Sequence, residues 1–143
     1  MRMVPTVVFD TNVLVAGLRS MLGSSHRLLE SVGGDRFEVG LTTPLVLEYE
    51  SVLKRPGMVP FSPEEVDTLL NFWCRMGTCR PVWFSLRPAA RDPNDDHVLE
   101  AAVATGSEII VTMNVKDMRD GARVHGIELL TPGEALGRLG VVR

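Results

Sequence analysis

The chain has 143 residues, a formal net charge of −3, and a composition that is 45% hydrophobic. A chain of this size can bury roughly 70% of its unfolded surface in one core. The hydrophobic content excludes a disordered or repetitive protein. The length predicts a single domain over residues 1–143. The negative charge excludes a protein that holds nucleic acid by bulk positive charge alone.

No segment near the start of the sequence has the pattern of an export signal or a membrane anchor. The apolar stretch from Val4 to Phe9 is too short for either, and Asp10 ends it. Cys74 and Cys79 lack the paired spacing of a zinc site, so we expect free, partly buried thiols. A cytoplasmic location and no membrane association are the default expectations.

Short apolar runs alternate with helix-like segments along the whole chain. In chain order, strands are predicted at Pro5 to Phe9, Phe37 to Leu41, Arg80 to Phe84, Glu108 to Thr112 and Ile127 to Leu130. Helices are predicted at Ser24 to Val32, Pro44 to Lys54, Ser62 to Arg75, Asp95 to Thr105 and Gly133 to Leu139, with a shorter turn near Val115 to Met118. The third strand adjoins Pro81 and is expected at a sheet edge.

This alternation predicts an α/β fold in which helices cover both faces of a mainly parallel sheet. The strands are almost continuously apolar, as in Val7 to Phe9 and Ile109 to Val111. Functional groups are then expected at the carboxyl ends of the strands.

Two acidic residues in the first half of the chain are candidates for a site. Asp10 directly follows the first strand, although it could instead cap the helical turn that follows. Glu48 borders the apolar stripe of Leu45, Tyr49, Val52 and Leu53 and could lean toward a buried pocket, or it could be an exposed helix charge.

Two further polar clusters lie in the second half. Asp92, Asp95 and Asp96 precede an Ala-rich helix, where an acidic first turn is favourable in itself but three aspartates so close together repel each other. Asn114 and Asp117 follow a buried strand, and either could simply cap a helix.

A parallel sheet would bring these side chains into one crevice. Carboxylates about 4 Å apart repel by about 4 kcal/mol per pair at an effective dielectric of 20. Such a cluster therefore needs protons or cations, and oxygen ligands without cysteine or paired histidine select Mg²⁺ or Mn²⁺. Bound cations would also reverse the local charge where a phosphate must sit.

Four segments together resemble the acidic motifs of the PIN domain family. They are Val7 to Leu14, Leu47 to Tyr49, Arg91 to Leu99 and Val111 to Asp117, and the resemblance runs from about residue 5 to residue 132. It is strongest to prokaryotic toxin–antitoxin proteins similar to VapC-type toxin ribonucleases.

The resemblance implies a three-layer α/β/α sandwich with a Rossmann-like sheet and metal-dependent cleavage of RNA phosphodiesters. The implied catalytic and metal-binding residues are Asp10, Glu48, Asp96 and Asp117. The implied supporting groups behind them are Thr11, Asn12, Thr112 and Asn114. Asn114 stands where some relatives carry aspartate. The identity of the fourth metal ligand and the presence of a second metal ion therefore stay open. An antitoxin partner and a homodimer or higher homo-oligomer are also implied.

Arginines and aromatic residues are interleaved between Asp67 and Asp92, a stretch with no acidic residue. Arg75, Arg87 and Arg91 could therefore contact RNA, or the aromatics could be core residues and the arginines a solvated face. His97 is expected on the helix surface.

Two other functions stay open at this point. One is a catalytically inactive PIN-like module that binds a protein. The other is a haloacid-dehalogenase-like phosphatase, which requires a second acid two residues after the first, where this chain has Asn12.

Overall fold

The strands of the sheet form where the sequence is continuously apolar. The computed structural model describes residues 3–80 and 95–141, the second part with side chains from residue 97 onward. Its strands are β1 (Thr6–Phe9), β2 (Glu38–Leu41), β3 (Thr78–Cys79), β4 (Ile109–Val111) and β5 (Glu128–Leu130). Residues 7–9 of β1 and the whole of β4 are buried, because helices cover both faces of the sheet there.

All strand pairs in the sheet are parallel, and the strand order is β3-β2-β1-β4-β5. β1 is central, and Val7, Val8 and Phe9 pair with Ile109, Ile110 and Val111. The chain moves outward from β1 through β2 to β3 and then returns to the other side of β1 at β4. The carboxyl ends of β1 and β4 therefore flank a topological switch point, where open α/β sheets bind ligands.

The helices that the structure describes follow the strands in alternation. They are α1 (Thr11–Arg19), α2 (Ser24–Glu30), α3 (Thr43–Leu53), α4 (Pro63–Met76), α5 (Asp95–Thr105), α6 (Val115–Val124) and α7 (Pro132–Leu139). Capping boxes start α4 at Ser62 and α7 at Thr131, and Thr42 caps α3 through a bond from the Leu45 N–H. The predicted α/β fold with a parallel sheet is confirmed.

Three element predictions were wrong in position or extent. The third strand is Thr78–Cys79 rather than Arg80 to Phe84; Arg80 lies just beyond it, and residues 81–84 lie outside the described residues. It is an edge strand, as predicted. Helix α1 was not predicted, and the short turn near Val115 to Met118 is the first part of a ten-residue helix.

The core lies on both sides of β1, and its largest members are aromatic. The Phe9 ring meets the rings of Phe37 and Trp73 at centroid distances of 5.8 and 5.5 Å. Trp73 also meets Tyr49 edge-on at 6.2 Å, which ties α4 and α3 to the central strand. Within residues 3–80 and 95–141, no helix has both the length and the hydrophobicity needed to cross a bilayer.

Candidate active site

A cleft of about 940 Å³ opens at the switch point of the sheet. It lies where β1 and β4 end and α1 and α3 begin. The polar residues in its lining include Asp10, Asn12, Glu48, His97 and Asn114. All four predicted motifs thus contribute a described side chain to one cavity, the third of them through His97 near the start of α5.

Asp10 is 5% exposed and is fixed by β4. Its N–H donates to the Val111 carbonyl at 2.9 Å, and the Thr112 hydroxyl donates to its Oδ2 at 2.7 Å. Asp10 occupies the N-cap position of α1, but its side chain makes no capping hydrogen bond. The carboxylate therefore points toward the cleft lining and does not serve as a helix cap.

Both carboxylate oxygens of Glu48 are held by side chains from other elements. The Thr11 hydroxyl donates to Oε2, and the His97 Nδ1–H donates to Oε1 at 2.9 Å. The Glu48 side chain is only 12% exposed. The alternative of an exposed helix charge is thus wrong, because α3 directs Glu48 into the cleft.

The prediction that His97 is a helix-surface residue was also wrong. Its side chain is 24% exposed, bonds to Glu48 and lines the cleft. The sequence held one signal for it, namely its position next to Asp96. Its partner, 49 residues away, could be identified only from the fold.

Tyr49 anchors the helix that carries Glu48. Its hydroxyl donates to the Phe9 carbonyl, at the end of β1 and next to Asp10. Burial raises the pKa of the Tyr49 phenol well above its ordinary value, and the negative charges of Asp10 and Glu48 raise this pKa further. The phenol stays protonated, as its role as a donor requires, and both carboxylates lie close enough to act on it.

The fourth motif supports Asp10 through Thr112. The Thr112 hydroxyl, which donates to Asp10, accepts from the Asn114 N–H at 2.9 Å. Asn114 is the N-cap residue of α6, makes no side-chain cap bond and lines the cleft. Asp117 lies in the first turn of α6, is partly buried and is not part of the cleft lining.

Asn12 connects the first and fourth motifs. Its Oδ1 accepts from the Met113 N–H at 3.4 Å. This contact joins the start of α1 to the loop after β4, so Asn12 has a supporting position.

Several predicted residues are only partly described or lie elsewhere. Arg87 and Arg91 lie outside the described residues, as does the Asp96 side chain, although α5 begins at Asp95 and its His97 reaches the cleft. Arg75 is exposed on α4 and is not in the cleft lining. The neighbouring Trp73 is a core residue.

Comparison with known proteins identifies the family. The family described as PIN domain matches residues 6–116 of the chain, which is more than half of it. The chain belongs to the PIN domain family. No curated protein matches it.

A solved structure shows the same fold. It is a chain of the crystal structure of VapBC2 from Rickettsia felis bound to a DNA fragment from their promoter. The TM-score is 0.58 at 16% sequence identity, over 88% of this chain and 98% of that chain. At this identity the likeness establishes the PIN fold and no finer property.

Relatives in the PIN family are nucleases that generally use a divalent metal ion. The donors of the present cleft fit such an ion, because Asp10 and Glu48 supply carboxylate oxygens and Asn114 an amide oxygen. An ionised carboxylate has about four acceptor positions, so the two bonds at Glu48 leave capacity for a cation. Among the side chains that the structure describes, no three of His, Cys, Asp and Glu form a ready metal cluster.

Sequence reasoning missed three parts of this PIN cleft besides His97. Tyr49 is a core residue behind the cleft whose anchoring bond the sequence does not predict, while Arg19 and Arg55 line the cleft and carry no sequence motif. The one sequence signal for Tyr49 and Arg55 is that they follow Glu48 by one and seven residues. Arg19 is the last residue of α1, a helix that was not predicted. Their relation to the carboxylates depends on how α1 packs beside α3.

Proposed function

We propose that this PIN domain is a metal-dependent endoribonuclease that hydrolyses RNA phosphodiester bonds with Mg²⁺ or Mn²⁺. One observation carries the proposal: Asp10 and Glu48, 38 residues apart in sequence, line one cleft at the carboxyl edge of the sheet together with Asn114. Oxygen donors gathered at low exposure suit a hard divalent cation.

Asp10, Glu48, Asp96 and Asp117 are the proposed metal-binding and catalytic residues. The cation, when bound, lowers the pKa of a water molecule and stabilises negative charge on the phosphate. Thr112 fixes Oδ2 of Asp10, while Thr11 and His97 fix Glu48, so both carboxylates keep their orientation as substrate enters. Such supporting bonds orient metal ligands and tune their basicity.

The biological setting is part of the same proposal. Similarity in fold to a chain of the VapBC2 structure supports a role as the toxin of a toxin–antitoxin pair. An antitoxin protein would then be the partner, and the toxin would act as a homodimer or higher homo-oligomer in the cytoplasm. The whole of residues 1–143 would act as one PIN domain.

The test is cleavage of labelled RNA and DNA by the pure protein with Mn²⁺, with Mg²⁺ and with chelator. Asp10→Asn and Asp96→Asn should each lower RNA turnover by orders of magnitude, because each removes a proposed anionic metal ligand while keeping the side-chain volume. The matched control is Asp120→Asn on the exposed face of α6, which should keep full activity. Unchanged turnover in either Asp10→Asn or Asp96→Asn, with native circular dichroism, would contradict the assignment.

Assays on the same pure protein distinguish this nuclease from two alternative functions. An inactive PIN-like binding module would cut neither nucleic acid, with any metal. A phosphatase of the haloacid-dehalogenase kind would release phosphate from monoesters, but Asn12 stands where its second acid is needed and bonds to the Met113 N–H instead.

A further inference from the structure

The cleft continues beyond the carboxylates as an arm between two helices. On α1, Asn12, Val15, Ala16 and Arg19 line it at three- and four-residue spacing, which is one helix face. On α3, two rows of residues at four-residue spacing line it. Glu48 and Val52 form one row, and Leu47 and Ser51 form the other, which Arg55 continues just after the helix. We call the part of the cleft from Val15 and Leu47 to Arg19 and Arg55 the α1/α3 arm.

The cleft has opposite charge at its two ends, with the arm at the positive end. Arg19 follows Asn12 by seven residues, and Arg55 follows Glu48 by seven. At 1.5 Å per residue each step is about 10 Å of helix. Arg55 continues the last turn of α3, since its N–H donates to the Val52 carbonyl at 3.2 Å. Carboxylates thus occupy one end of the cleft and two guanidinium groups the other.

Neither arginine is committed to an acidic partner in the part of the chain that the structure describes. Arg19 and Arg55 are both exposed, and no ion pair or side-chain hydrogen bond involves either. The neighbouring Lys54 differs, because it pairs with Glu50 at 2.9 Å and with Asp67 at 2.7 Å. The fold neutralises the lysine and leaves the two arginines directed at the cleft.

The wall between the two ends is largely apolar. Val15 and Ala16 contribute to it from α1, Leu47 from α3, and Met58 from the loop after Arg55. Leu47 is 56% exposed and lines the cleft, so its apolar surface is open to a group that enters the cleft. Planar apolar groups such as nucleobases would cover this surface.

We propose that the α1/α3 arm binds the nucleotides of a single-stranded RNA that flank the scissile phosphate. Arg19 and Arg55 contact neighbouring backbone phosphates, and a base packs against Leu47 and Met58. This inference rests on the proposed nuclease function. It assigns RNA contact to arginines other than Arg75, Arg87 and Arg91.

The charge pattern favours a polynucleotide over an acidic protein segment. An acidic peptide along the arm would meet Asp10 and Glu48 at its end and be repelled there. A phosphodiester strand suits both ends, since a cation held by the carboxylates would neutralise their charge beside one phosphate while the arginines attract others. A cavity of about 940 Å³ is of the size that holds a small ligand, which is room for a short stretch of one strand.

The experiment measures binding separately from cleavage. Fluorescence anisotropy of a labelled single-stranded RNA is recorded with the full chain in the Asp10→Asn background, over a range of salt concentrations. The variants are Arg19→Gln with Arg55→Gln, the same pair changed to lysine, and Arg119→Gln as an exposed control outside the cleft. A labelled oligoglutamate peptide is the probe for an acidic protein partner.

Loss of two phosphate contacts should lower the slope of log K against log salt by about 1.4, or about 0.7 for each contact. Affinity at low salt should fall roughly tenfold per arginine, as expected for a lost charge-assisted bond. The lysine pair should keep most of the slope because the charge remains, and Arg119→Gln should match the parent. In the protein that retains Asp10, the glutamine pair should lose more kcat/KM on RNA than on bis(p-nitrophenyl) phosphate, which is too small to reach Arg19 and Arg55 from the carboxylates.

An unchanged salt slope in the glutamine pair would overturn the inference. Loss of oligoglutamate binding with RNA binding retained would overturn it as well and would assign the arm to a protein partner. Failure of the nuclease proposal is a separate result: the parent enzyme would cleave neither RNA nor the small diester, whatever the anisotropy slopes show.

Discussion

Thr112 joins two distant motifs through one hydroxyl group. It is fully buried, donates to Asp10 Oδ2 at 2.7 Å and accepts from the Asn114 N–H at 2.9 Å. The bond to Asp10 spans 102 residues of sequence. Thr112 is therefore a positioning residue that fixes the direction of a proposed ligand without lining the cleft.

Thr112→Val keeps the shape of the side chain and removes both bonds. We expect a loss of about 10- to 100-fold in Mn²⁺ affinity or in turnover of RNA, because groups that orient metal ligands typically contribute that much. Isothermal titration with Mn²⁺ and steady-state cleavage measure the two effects.

The conservative variant Thr112→Ser is the control. It keeps the hydroxyl and should recover most of the Mn²⁺ affinity, whereas a purely structural role would leave metal affinity insensitive to the hydroxyl. Equal Mn²⁺ affinity in the valine and serine variants would contradict the positioning role.

At the scale of elements, α4 is joined to the edge strand β3 through Gly77. A Cβ at this position would lie 2.6 Å from the Val39 carbonyl oxygen and 2.6 Å from Val39 Cγ1. The backbone there is extended, so the requirement for glycine comes from close approach to β2 and not from a left-handed conformation. The absence of a side chain at Gly77 lets the chain approach β2 closely, next to the point where β3 pairs with Gly40 and Leu41.

Gly77→Ala should lower the free energy of unfolding by about 1–3 kcal/mol, the usual cost of overpacking against backbone that cannot move away. Urea unfolding followed by circular dichroism measures the loss. Cleavage by the remaining folded protein should persist, since Gly77 is outside the cleft lining.

Gly137→Ala is the matched substitution. A Cβ there meets nothing within 4 Å, and the residue lies inside α7. It should stabilise the protein by up to about 1 kcal/mol, because alanine favours helix over glycine. If the two alanine variants change stability in the same direction, the close approach at Gly77 is not limiting.

The molecule as a whole places Asp10 and Glu48, two of the proposed metal ligands, in a cleft at the carboxyl ends of the strands of an apolar sheet. The core around β1 is built without them, so removal of metal should leave the protein folded. A cation that binds only the folded state would raise the melting temperature and relieve repulsion between the carboxylates.

At a Mn²⁺ concentration of about 100 times Kd, the stabilisation should be about 2.7 kcal/mol, or roughly 5–10 °C in Tm. Differential scanning fluorimetry with chelator and then with Mn²⁺ measures it. The shift should be much smaller in Asp10→Asn, and a shift of equal size in both proteins would place the bound metal elsewhere.

The residues that sequence patterns predicted well are those whose environment is local. A strand such as Ile109 to Val111 is recognised from its own side chains, and the caps at Ser62 and Thr131 from the three residues that follow each. Helix α1 was missed because Thr11, Val13 and Val15 are β-branched and have low helix propensity. Its packing against α2, with Gly17 close to Leu29, overrides that preference.

The sequence by itself therefore determined the class of fold and the ends of the strands where acidic side chains stand, because hydrophobic periodicity and capping act over a few residues. The tertiary structure alone decided which of those side chains meet. The placement of β4 beside β1 joins Thr112 to Asp10, and the packing of α3 and α5 joins Glu48 to His97. These contacts depend on strand order and on the approach of helices distant in sequence, which no local pattern encodes.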